Sequence, residues 1–77
     1  MKFRNIGPYR LFFTTNDRDE PPHIHIERDG MVAKFWLNPV RLAKSSRFAG
    51  HELRHMARLV EEYHSDIIEA WNEFLRR

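Results

Sequence analysis

Histidines and a glutamate alternate with isoleucines in His23–Glu27, directly after a pair of prolines. In an extended strand successive side chains point to opposite faces, so His23, His25 and Glu27 would share one face. Because histidine titrates near neutral pH, one imidazole can accept the 2′-hydroxyl proton of RNA while another protonates the leaving oxygen. We therefore expect His23 and His25 to carry any catalytic activity.

Further candidate residues lie on the strands predicted beside the histidines. Lys34 or Arg10 would stabilise the charge that develops on the phosphorane, and we expect Lys34 to be the catalytic cation. Trp36 or Phe12 would stack on a base, as binding of single-stranded RNA commonly requires. Arg10, Glu27 and Trp36 are therefore the predicted binding residues.

Three other interpretations of the histidine strand stay open. It is also typical of a polar strand face without chemistry. Two histidines at this spacing can bind one metal ion, with Glu27 or Glu20 as a third ligand. A face that carries tryptophan and arginine also suits contact with a partner protein. The sequence offers no further obvious ligand, so we expect no metal and no cofactor.

A second histidine motif, His51–His55, reads HELRH and matches the H-E-x-x-H pattern of zinc proteases. The context argues against zinc, because position 61 is Glu61 where a third histidine would fall at the metzincin spacing. A chain of 77 residues also lacks the mass for a substrate cleft. We predict a polar helix face here and no bound zinc.

Three strands are predicted in the first half of the chain. Tyr9–Thr15, His23–Arg28 and Met31–Leu37 are rich in aromatic and β-branched residues. Asp29-Gly30 joins the last two, and both residues tolerate the positive φ angles of a tight hairpin turn.

The connecting segments are less uniform. Asn16–Pro22 is predicted to be a loop. Asn38 and Pro39 would suit the start of a short helix, whereas the alternation around Val40 and Leu42 favours an edge strand. We favour the strand.

Apolar residues recur every three or four positions from Gly50 onward, which predicts a long amphipathic helix. Whether this helix is continuous or breaks near His64-Ser65 stays open. The predicted fold class is α+β: a small antiparallel sheet of three to four strands with a long C-terminal helix, or two helices, on one face. We expect one core, with His23 and His25 on the opposite sheet face. The expected core residues are Ile24, Ile26, Phe35, Leu37, Val60, Ile67 and Trp71.

The composition indicates one small globular domain over residues 1–77, β-rich in 1–48 and helical in 49–77. The core of so short a chain is thin, so a partner or a homodimer would help. There is no cysteine, and no apolar run approaches a membrane span, so we expect a cytoplasmic protein. The net charge of +2 permits nucleic acid or an acidic partner without requiring either.

Whole phrases of the sequence resemble a prokaryotic family called domain of unknown function 4160. The matching phrases are GPYRLFF, EPPHIHIERDG, AKFWLNPVRLA, FAGHELRHMARLVEEYH and EAWNEF. Members of that family often have Ser where this chain has Ala49, before the helix. The resemblance implies a gene next to one for a small protein of the domain of unknown function 2442 type, in a layout like a toxin–antitoxin module.

Two functions are therefore expected from the residues and the resemblance together. The first is a toxin that acts on RNA through the histidine face, as a metal-independent ribonuclease. The alternative is a non-catalytic interaction module, an antitoxin or partner-binding subunit, whose partner would be the cognate small protein.

Overall fold

The computed structural model describes residues 1–14 and 19–76. Five strands form one antiparallel sheet in chain order, and two helices follow. The elements are β1 (Lys2–Ile6), β2 (Tyr9–Phe12), β3 (His23–Arg28), β4 (Met31–Leu37), β5 (Val40–Ser45), α1 (Gly50–Glu62) and α2 (His64–Leu75). The α+β class is confirmed, although the sheet has five strands and not three to four. The predicted strand end at Thr15 and the front of the predicted loop, residues 16–18, lie outside the described residues.

The strand that the sequence did not predict is β1. It pairs with β2 across a turn in which Gly7 has a φ of 57°, and Ile6 lies opposite Tyr9. None of its five residues is fully buried, and only Phe3 and Ile6 are half-buried. Such a strand lacks the strict alternation that a half-buried strand normally shows.

The hairpin between β3 and β4 has the predicted turn. Asp29 and Gly30 have φ angles of 52° and 80°, as a primed turn requires at both central positions. Six residue pairs follow without a shift of register, from Arg28 opposite Met31 to His23 opposite Trp36. The turn therefore fixes which side chains of the two strands face each other.

The ambiguous segment after β4 is a strand, as we favoured. β5 begins at Val40, directly after the cis peptide bond between Asn38 and Pro39. Its register against β4 shifts between Lys34 and Phe35.

The helical part breaks at Tyr63, which decides between the continuous helix and the two helices that the sequence left open. Ala49 occupies the N-cap of α1 and makes no side-chain hydrogen bond there. The His64 imidazole lies 2.6 Å from the Leu37 carbonyl, to which its Nε2–H donates, so the start of α2 is tied to the end of β4. No helix in residues 1–14 and 19–76 is both long and apolar enough to cross a membrane.

Both helices pack on the same face of the sheet. Met56 and Val60 of α1, with Ile67, Trp71 and Phe74 of α2, are buried against it. All seven predicted core residues belong to this core. The strand residues of the core are Tyr9, Leu11, Ile24, Ile26, Ala33, Phe35 and Leu37, with Phe13 directly after β2.

Candidate functional site

The sheet face away from the helices, called the outer face below, gathers most of the predicted site residues. The register places Phe12 opposite His25 and His25 opposite Lys34. Arg10 and Glu27 form the next pair along β2 and β3. The register thus places Arg10 and Phe12 of β2 on the same face as His25. The outer-face residues of β2, β3 and β4 include Arg10, Phe12, His25, Glu27, Lys34 and Trp36.

His23 does not lie on an accessible surface, and the prediction that both histidines face away from the core was wrong for this residue. Its side chain is fully buried, and its ring centroid lies 5.2 Å from that of Trp71 in α2 and 5.5 Å from that of Trp36. His23 is the first residue of β3, at the end of the sheet that Trp71 reaches. Its Nδ1–H donates to the Pro21 carbonyl at 2.8 Å, so the imidazole is buried with a hydrogen bond.

His25 remains the accessible imidazole of the predicted pair. Its side chain is half-buried, and its ring stacks on Phe12 with centroids 5.3 Å apart and planes 21° apart. The His23 ring meets it edge-on at 5.2 Å. His25 is thus held between two rings and still reaches the outer face.

Lys34 is less free than a catalytic cation would be. Its ammonium group forms an ion pair with Glu20, and only 11% of its side chain is exposed. The same ammonium lies 4.7 Å from the Trp36 ring centroid, within the range of a cation–π contact. Lys34 therefore positions Trp36, and Glu20 neutralises its charge.

Arg10 and Glu27 form a second ion pair on the outer face. The Arg10 Nε–H donates to Glu27 at 2.9 Å, and the guanidinium carbon lies 4.3 Å from the Phe12 ring centroid. The hydrogen bond from Arg10, with a second from the Gly30 amide, lowers the pKa of Glu27. Glu27 therefore stays a carboxylate at neutral pH and orients Arg10 over Phe12.

Two open grooves lie on the outer face, one beside His25 and Lys34 and the other beside Trp36. The first, of about 280 Å³, runs between His25, Lys34 and Lys44, with Val32, Ala33, Ser45 and Ser46 completing its lining. The second, of about 260 Å³, is lined by Pro21, Pro22, Trp36, Asn38, Pro39 and Arg41. Both grooves are shallow depressions that are open to a ligand on the outer face.

Sequence reasoning missed two cations of these grooves, Arg41 and Lys44. Both are exposed on β5, and neither makes an ion pair within residues 1–14 and 19–76. They were overlooked because the segment that carries them was ambiguous between helix and strand. The structure pairs Arg41 with Trp36 and Lys44 with Lys34, but the register shift between these two pairs is not visible in the sequence.

The glutamate of the HELRH motif has a structural partner. Arg28 donates two hydrogen bonds to the Glu52 carboxylate, at 2.7 and 2.8 Å, and the Tyr9 hydroxyl donates a third at 2.7 Å. The bonds from Arg28 and then from Tyr9 lower the pKa of Glu52, while burial raises the pKa of Tyr9. Glu52 therefore ties α1 to β2 and β3.

His51 and His55 of the same motif are exposed. The described residues include no group of three or more His, Asp and Glu side chains placed to hold a metal ion. The absence of zinc from this helix stays a prediction.

The family described as Domain of unknown function (DUF4160) matches residues 9–72. The chain belongs to this family. The match extends from the start of β2 into the last turns of α2 and includes all the outer-face and groove residues named above, whereas β1 lies outside it. Comparisons with curated proteins and with solved structures gave no match.

Proposed function

We propose that the protein binds single-stranded RNA on the outer face. One observation carries the proposal: three adjacent strands place the rings of Phe12, His25 and Trp36 on the face that the helices leave uncovered, with the exposed cations Arg41 and Lys44 beside them. Rings provide stacking surfaces for bases, and cations attract the phosphate backbone.

A single strand fits this surface better than a duplex. In an RNA duplex the bases are stacked inside the helix and cannot lie flat on protein rings, whereas unpaired bases can. The stacking of one base on an aromatic side chain contributes about 1–3 kcal/mol. Because His25 and Arg10 cover the Phe12 ring, the rings of His25 and Trp36 and the two exposed cations support moderate, salt-dependent binding.

Any cleavage of the bound RNA is proposed to proceed through His25. His23 cannot act together with His25 as an acid–base pair on RNA, because it is buried between aromatic rings. His25 would accept the 2′-hydroxyl proton as the 2′ oxygen attacks phosphorus and the bond from phosphorus to the 5′ oxygen breaks, and water would protonate the departing 5′ oxygen. Arg10, whose Nε–H is bonded to Glu27, would stabilise the charge on phosphorus with its remaining N–H donors. Lys34 is proposed to support this site through Trp36.

The biological role proposed is that of the toxin in a prokaryotic two-gene module, located in the cytoplasm, with a cognate small protein as antitoxin. This role rests on the family resemblance. It is tested by expressing the gene alone and together with its neighbour. Arrest of growth that the neighbour relieves, and that a His25→Ala variant does not cause, is the expected result. Growth unaffected by the wild-type protein would reject the toxin role.

RNA binding is tested separately, by fluorescence anisotropy with labelled single-stranded and duplex RNA. Replacing Trp36 by Ala should weaken single-strand binding about tenfold, because one stacking contact is lost. Arg41→Ala should also weaken it, whereas Arg58→Ala removes the same charge from an exposed position on α1 and serves as the matched control. Equal losses in Arg41→Ala and Arg58→Ala would indicate non-specific attraction and reject the outer face as the binding site.

A second candidate function is supported by Leu42. This leucine is 45% exposed on β5, which is an edge strand of the sheet. An edge strand with an exposed apolar side chain can pair with an added strand from a partner protein. If this non-catalytic module is the function, a Leu42→Lys variant should lose the partner and keep its melting temperature, because Leu42 is exposed.

A further inference from the structure

The groove beside Trp36 has an aromatic wall whose ring is already held in position, and we call it the Trp36 pocket. Pro21, Pro22, Trp36, Asn38, Pro39 and Arg41 line it. The Trp36 ring is held by a nearly perpendicular contact with the His23 ring, with centroids 5.5 Å apart, and by the Lys34 ammonium, 4.7 Å from its centroid. A ring that is already held in place loses little conformational freedom when a ligand stacks on it.

The polar groups of the pocket are Asn38 and Arg41, and both are exposed. An asparagine amide offers a donor and an acceptor side by side, and a guanidinium offers a rigid fork of N–H donors. Three prolines complete the wall and add apolar surface without backbone N–H donors. A flat heteroaromatic ring with hydrogen-bonding edges matches this combination of an aromatic wall and a polar rim.

We propose that the Trp36 pocket binds one unpaired guanine of the RNA and gives the outer face its sequence preference. This inference rests on the proposed function, since it assumes that RNA occupies that face. The base stacks against Trp36, and the Arg41 fork donates to the O6 and N7 acceptors, which only guanine presents together. Asn38 contacts the remaining edge. Lys44 lies outside the pocket and contacts phosphate only.

The test compares short oligouridylates that carry one central guanosine, adenosine or cytidine, with anisotropy as the readout. The oligonucleotide with guanosine should bind the wild-type protein about tenfold more tightly than the others, as one bidentate contact provides. Arg41→Lys keeps the charge and loses the fork, so its binding should become equal for all the oligonucleotides while general affinity is retained. Lys44→Ala should weaken all of them by the same factor and keep the preference.

Trp36 fluorescence gives an independent readout of stacking. Addition of the guanosine oligonucleotide should quench the emission of Trp36, in a protein whose other tryptophan, Trp71, is buried in the core. Conversion of Trp36 to Phe should remove the quenching and leave the remaining emission unchanged.

The outcomes separate the pocket from the proposed function. Equal affinity of the wild-type protein for all the oligonucleotides would overturn the guanine pocket and leave RNA binding in place. Failure of the wild-type protein to bind any of them would reject both. Binding of a proline-rich peptide at Trp36 in the absence of RNA binding would show a peptide groove and also overturn the proposal.

Discussion

Replacement of His23 by Ala should destabilise the fold far more than the same change at His25. His23 is fully buried among Trp36, Trp71 and His25, and its Nδ1–H is bonded to Pro21. Removing a buried side chain of similar size typically costs about 2–5 kcal/mol, because a cavity remains. His25 is half-buried on the outer face, so its truncation should cost about 1 kcal/mol or less.

These values translate into melting temperatures that are easy to distinguish. For a domain of this size each kcal/mol corresponds to about 4–8 °C, so the decrease in melting temperature should be at least about 8 °C for His23→Ala and at least about twofold smaller for His25→Ala. Because a small core provides only about 3–5 kcal/mol in total, His23→Ala can approach complete unfolding. His23→Phe is the companion variant: it keeps a ring in the space, loses the hydrogen bond and should be intermediate.

The assay is thermal and urea unfolding followed by circular dichroism. Similar small losses in His23→Ala and His25→Ala would refute the burial of His23 and return both imidazoles to the surface. A His23→Phe variant as unstable as His23→Ala would instead refute the packing argument.

Three other predictions concern the rest of the chain. Glu52→Gln should lower the melting temperature at neutral pH, because the charged Glu52 carboxylate stabilises the fold. Since the pKa of Glu52 is depressed below its ordinary value of 4.5, the stabilisation by this carboxylate is complete above pH 4.5 and is lost as the pH falls through the folded pKa. An equal difference between wild type and variant at strongly acidic pH would contradict this prediction. Gly30→Ala should cost about 1–2 kcal/mol in urea unfolding, because a φ of 80° strains any side chain although the space is empty, and Gly30→Asn should recover part of it. Protein purified without a histidine tag should contain substoichiometric zinc by elemental analysis; one tightly held ion per chain, lost in His55→Ala, would overturn that expectation.

The sequence predicted those parts of the fold that local patterns determine. Period-two alternation placed Ile24, Ile26 and Phe35 in the core, and Asp29-Gly30 determined the register of the hairpin. Once that register is set, the neighbours of His25 on β4 follow from geometry. The predicted position of Lys34 on a strand beside His25 therefore needed no knowledge of the rest of the chain.

The missed features depend on contacts between distant segments. The burial of His23 requires the side chain of Trp71, which lies 48 positions away in the sequence on an element whose path over the sheet no local pattern gives. The pairing of Lys34 with Glu20 likewise arises where the loop before β3 approaches β4. β1 was missed because its partner β2, and not its own pattern, stabilises it as a strand.

The position of His23 also changes how variants of the histidine strand must be interpreted. Its ring contacts Trp71 of the core on one side and both Trp36 and His25 of the outer face on another. Loss of that ring would let Trp36 and His25 move, so a His23 variant, or a variant with both histidines replaced, could lose RNA binding without either imidazole having a chemical role. The single His25→Ala variant does not have this ambiguity, because its fold should be nearly intact. Loss of activity in a stable His25→Ala protein, with the pocket preference for guanosine preserved, would separate chemistry at His25 from recognition at Trp36.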